Sequence, residues 1–127
     1  MATPIRSLQP PELLLPIYND SDLSLKKLAS VMGISRSELA QIANKDVRTI
    51  ERDRASTGVL NQLQPVIYTL KMLWSLTDGE CSEIQRWLRE PLIEWRGLSP
   101  LNCLIEGKFD AVVALVERIY YGDSAGY

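Results

Sequence analysis

Between Glu83 and Gly122 the chain alternates apolar runs with residues that start and stop helices, which restricts its last third to short helices joined by tight turns. Ile84, Trp87 and Leu88 stand at i, i+3 and i+4, so all three share one helical face. Pro91 ends that run. Ser99 is placed to cap the next helix, Pro100 suits its first position, and Gly107 stops it. Asp110 offers a third cap, for a helix in which Val112, Val113, Leu115, Val116, Ile119 and Tyr120 cover one broad side before Gly122 closes it. Taken alone, tryptophan and leucine at this spacing also fit an ordinary helical core.

The same punctuation runs through the earlier chain. Ser24 precedes Leu25, Leu28, Val31 and Met32 at helical spacing, and Gly33 ends them. Ser35 and Glu38 form an S-x-x-E capping box before Leu39, Ala40, Ile42 and Ala43. Asn44 suits a left-handed turn, and Asp46 caps a further helix predicted over 47–54 with Ile50 facing inward. Ser56-Thr57-Gly58 is the clearest boundary. Beyond it Leu60, Leu63, Ile67, Leu70, Leu73 and Trp74 continue at helical spacing, with Pro65 either starting or kinking a long element that joins the two halves. Thr77-Asp78-Gly79 breaks that element, and Thr77 or Asp78 caps the helix carrying Trp87. Four prolines within residues 1–22, around Leu13-Leu14-Leu15, predict an arm with at most one helical turn that packs on a neighbour. No β-type alternation of useful length appears. The expected class is therefore all-α, in three parts: an arm (1–22), a basic region (23–58) and a C-terminal unit (59–127).

At 127 residues the chain is long enough to bury roughly two-thirds of its unfolded surface. Its apolar runs fall short of the ~20 residues of a membrane span, and its N-terminus lacks the pattern of a secretory signal, so the expected location is the cytoplasm, with no membrane partner. Cys81 and Cys103 read as reduced, small apolar residues. The absence of histidine removes the commonest general base and metal ligand. No phosphate loop, nucleophile elbow or zinc pattern is present, so neither catalysis, cofactor nor metal is expected.

The net charge of −2 hides an asymmetry. Residues 24–55 hold seven Lys or Arg against four Asp or Glu (net +3), and residues 65–127 hold six against nine (net −3). All the aromatic residues except Tyr18 lie in the acidic part. This separation suits nucleic acid at one end and protein at the other. Two helix-turn-helix registers fit the basic part. The first turns at Gly33 and offers only Arg36, Ser37 and Gln41 to a groove. The second turns at Asn44-Lys45 and offers Lys45, Arg48, Thr49, Arg52 and Arg54, which suit phosphates and base edges, and it is the one chosen. The alternative role for these arginines is i, i+3 and i, i+4 pairing, such as Arg48 with Glu51, on a solvated helix.

Trp87, Leu88 and Pro91, followed by Gly97, Ser99 and Pro100 and then by Gly107, Val112 and Gly122, resemble in order and spacing the toxin-binding domain of the Xre/MbcA/ParS antitoxin family. That family tends to have a small residue three positions before the tryptophan, where this chain has Ile84. The segment from Ile34 to Arg54 is similar to the family's Xre-like helix-turn-helix, whose R-[ST]-hydrophobic-x-R core is matched by Arg48-Thr49-Ile50-Glu51-Arg52. The family often has an aromatic next, and this chain has Asp53. Glu51 and Asp53 oppose phosphate, which predicts weakened DNA affinity.

The resemblance implies a type II antitoxin with an N-terminal Xre-like helix-turn-helix followed by a small helical toxin-binding domain. The implied partners are a cognate RES-domain toxin, whose NAD-consuming site is occluded, and the operator DNA of its own operon. A homodimer within a larger toxin–antitoxin complex is expected. It also implies a toxin contact by Tyr120, Tyr121, Gly122 and the following tail, with Asp123 in it and Tyr127 as an aromatic anchor. A tail of small residues otherwise has no role. Two rivals remain: a stand-alone transcriptional regulator whose C-terminal unit only dimerises, and a protein-binding adaptor that has lost DNA.

Overall fold

The computed structural model describes residues 15–122. They are mostly helical, with one small hairpin. Strands β1 (Tyr18–Asn19) and β2 (Asp22–Leu23) pair antiparallel, Tyr18 opposite Leu23 and Asn19 opposite Asp22. Seven α-helices follow among the described residues: α1 (Leu25–Met32), α2 (Arg36–Ala43), α3 (Val47–Glu51), α4 (Thr57–Leu76), α5 (Cys81–Leu88), α6 (Pro100–Ile105) and α7 (Phe109–Tyr120). A single 3-10 turn, Ile93–Trp95, joins α5 to α6. None of the described helices is long and apolar enough to cross a membrane.

Helix starts follow local side-chain chemistry where serine or aspartate stands at the N-cap. Ser24 Oγ accepts from the Lys27 N–H (3.1 Å) at the start of α1, and Ser35 and Glu38 close the expected capping box of α2. Asp46 accepts from the Arg48 N–H (3.0 Å) at α3. Ser99 pairs reciprocally with Asn102 around Pro100 at α6. Two expected caps are not formed. Thr77 ends α4 instead, its hydroxyl donating to the Leu73 carbonyl (2.8 Å), Asp78 takes a left-handed turn, and α5 begins at Glu80 without a side-chain cap. Asp110 lies inside the first turn of α7, where its charge suits the helix dipole.

Two further expectations are corrected. The arm is expected to pack on a neighbour, but Leu15 and Ile17 are buried in this chain's own core, where the arm's described part, residues 15–22, enters the hairpin. Its strands are too short for alternation to register in sequence. The helix expected over 47–54 stops at Glu51, because Asp53 takes a positive φ of 68° and turns back toward α1.

Asp53 ties three segments together. Its carboxylate accepts from Ser24 Oγ (2.6 Å), from the Lys26 N–H (2.9 Å) and from Asn19 Nδ2 (3.2 Å), and its carbonyl accepts from the Leu25 N–H (3.2 Å). It therefore caps α1 from outside that helix. These bonds, led by the Ser24 hydroxyl, hold the Asp53 carboxyl below the usual aspartate range.

The long helix α4 runs through Pro65 without ending, and Thr69 Oγ1 donates to the Pro65 carbonyl (2.9 Å). At about 1.5 Å per residue it is roughly 30 Å long. It buries Val59, Leu63, Val66, Ile67, Leu70 and Leu73, and its principal partner is α7. Direct packing of α1 on α5 and of α2 on α6 also links the halves, so one continuous core runs from Leu15 to Val116.

Candidate functional site

The basic surface lies at α3. Arg48 is 80% exposed in its side chain and lies 3.9 Å from Asp46, so its nearest carboxylate is the capping residue rather than Glu51. Arg52 sits at the C-cap in helical conformation, so Arg48 and Arg52, four apart, face the same way. Lys45 is exposed just before the N-cap, and Thr49 is half-buried. Arg54 is separated from this set: its backbone bridges to Ser24, and the residue lines a cleft against the hairpin.

The acidic part carries a different surface. Leu76 is 42% exposed at the end of α4 and Ile119 is 47% exposed at the end of α7. Together with Leu73, Ile84 and Trp87 they form an apolar groove of about 220 Å³. Of the three residues expected on one α5 face, Ile84 and Leu88 enter the core, whereas Trp87 is half-buried and lines the groove. Its rim carries Glu83, Arg86 and Glu90, the first two 3.8 Å apart. The chain leaves α7 beside this groove. Tyr120 and Tyr121 meet edge to face, ring centroids 5.0 Å apart at 88°, and Tyr121 is 65% exposed. The Tyr68 hydroxyl donates to Glu117 Oε2 (2.7 Å), a bond to a carboxylate that raises the phenol well above its ordinary value. Gly122 follows with a positive φ, and the expected contacts Asp123 and Tyr127 lie outside the described residues.

Neither protein-family models nor curated proteins give a match to this chain. The antitoxin resemblance thus rests on the residues quoted for it.

The two surfaces are joined by contacts that the sequence pattern does not announce. From α5, Gln85 Nε2 donates to the carbonyls of Ser30 (3.2 Å) and Val31 (3.3 Å), and Arg89 donates to the Gly33 carbonyl (3.0 Å) and to Glu38 Oε1 (3.0 Å). The Ser30 carbonyl also accepts from the Gly33 N–H (3.1 Å), so the Gln85 and Arg89 bonds add cross-chain donors to carbonyls at the C-terminal end of α1. The Arg89 guanidinium, followed by the Ser35 N–H, holds the Glu38 carboxyl below the usual glutamate range. In sequence the only signal is that Gln85 and Arg89 are four apart, off the Ile84–Leu88 stripe. Their partners lie 51 to 56 residues upstream.

Among the described residues no group of three or more His, Cys, Asp or Glu converges as a metal site. Burial pushes the Cys103 thiol up, which disfavours its reactive thiolate.

Proposed function

We propose that the chain is the antitoxin of a type II toxin–antitoxin pair, binding a RES-domain, NAD-consuming toxin through its C-terminal unit and occluding the toxin's NAD site. Operator binding through α2, the Asn44-Lys45 turn and α3 regulates its own operon, in the cytoplasm, as a homodimer within the larger complex. The observation that carries this reading is the pairing of an exposed apolar groove and tyrosine pair in the acidic part with an exposed arginine pair in the basic part. Partly exposed tryptophan and tyrosine are typical protein anchors, and exposed arginines without a full carboxylate partner suit phosphate. The antitoxin resemblance gives these two surfaces their partners. Because α3 has only five residues, Lys45, Arg48 and Arg52 carry the DNA contact, with Arg54 outside it.

Separation of the two activities tests the proposal. Replacing Arg48 and Arg52 by alanine is expected to weaken operator binding at least about tenfold while leaving toxin inhibition intact. Removing residues 121–127 is expected to do the reverse. A truncated chain that still protects cells from the toxin refutes the tail contact, and joint loss of both activities in the arginine variant means that the arginines hold the fold.

The stand-alone regulator is the second reading, favoured by the same groove if a second copy of this chain fills it. Salt-dependent operator binding with no protein partner distinguishes it.

A further inference from the structure

The cleft that draws Arg54 away from α3 lies between the hairpin and α4, and the antitoxin reading makes no use of it. Its volume is about 230 Å³. This is below the about 300–1,000 Å³ of sites for drug-sized ligands, so its occupant is a small molecule. Its lining is mixed: Leu23, Leu60 and Ile67 supply apolar surface, and two cations, Arg54 and Lys71, stand among polar side chains. Lys71 is half-buried on α4, yet among the described residues it makes no ion pair, and neither does Arg54. An anion entering the cleft meets both positive charges. The backbone of Arg54 is held beside the hairpin by its bridge to Ser24 and by the neighbouring Asp53 bonds, which keeps this residue at the cleft. Asp22, also on the lining, opposes a second negative charge on the ligand.

We infer that this cleft binds a small organic carboxylate, its head between Arg54 and Lys71 and a short apolar body on Leu23, Leu60 and Ile67. The site is independent of the toxin and operator reading. A monoanion with a short apolar body meets both the two cations and the apolar side chains of the lining, whereas a nucleic-acid phosphate uses only the cations.

Amide chemical shifts of the full chain, followed by NMR while hexanoate is added at constant ionic strength, test the site. Its uncharged counterpart hexanamide and a short DNA duplex are titrated in parallel. The expected result is saturable movement of the Leu23, Ala55 and Gln64 amides with hexanoate and none with hexanamide. Affinity falls roughly tenfold in Lys71→Met, which keeps the apolar stem, and in Arg54→Gln, an exposed position where folding is not at stake. Equal response to hexanamide, no saturable movement with hexanoate, or unchanged affinity in both folded variants overturns the proposal. Movement of the cleft amides by DNA but not by hexanoate also overturns it and makes Arg54 and Lys71 backbone-phosphate contacts.

Discussion

At the scale of single residues, two positions hold the N-terminal helices against the rest. Gly33 ends α1 at a φ of 66°, and a Cβ there would lie 2.6 Å from Gln85 Cγ and 2.8 Å from Gln85 Cδ. Alanine at this position meets both a strained backbone and the side chain that donates to the Ser30 and Val31 carbonyls. Gly33→Ala is expected to destabilise the fold by more than about 1 kcal/mol, measured by chemical denaturation. Unchanged stability would show that Gln85 moves aside freely. Asp53 is the second such position, and its carboxyl titrates below the ordinary aspartate range because of the Ser24 and Lys26 bonds. A depressed native value means that this contribution to stability is complete above the ordinary carboxylate range, and it is lost as pH falls through the native value. Stability of the wild type is therefore expected to decline below about pH 5, and Asp53→Asn, which tolerates the left-handed backbone, is expected to flatten part of that decline. An identical acid profile in the variant contradicts the assignment.

Among elements, α5 is the one that fastens the C-terminal unit to the basic part. Its Ile84 and Leu88 fill the core while Gln85 and Arg89 reach the ends of α1 and α2. Arg89→Ala is expected to cost about 1 kcal/mol, a charged hydrogen bond discounted for an arginine side chain half exposed to solvent. A double-mutant cycle with Glu38→Ala measures the pair directly, and zero coupling would leave the fastening to Gln85 and the core. What was legible in sequence divides along the same line. Caps at Ser24, Ser35, Asp46 and Ser99 involve groups within three residues, so the residue pattern carries them. The early end of α3 was not legible, because Asp53 is drawn back by Ser24, Lys26 and Asn19 across 27 to 34 residues of chain. The groove escaped for a similar reason: Leu76, Trp87 and Ile119 come together only when α4, α5 and α7 are packed. Trp87 read as core by spacing, and only the tertiary arrangement leaves it half-buried in the groove.

On the scale of the whole molecule, one core supports two surfaces of unlike chemistry. The boundary at Ser56-Thr57-Gly58 marks the start of α4, and the apolar cluster continues across it. Charge separation and the clustering of aromatics beyond residue 65 were visible in the sequence and anticipated the two surfaces, whereas which side chains stay exposed was decided by packing. The central claim is that the C-terminal surface holds a toxin. The direct measurement is recovery of bound proteins from the source cells on tagged full-length chain, beside a chain ending at Tyr120, with mass spectrometric identification and an NAD-consumption assay on what is released. The account predicts one protein partner that is retained by the full-length chain alone and consumes NAD once freed. Recovery of only a second copy of this chain and DNA would contradict it.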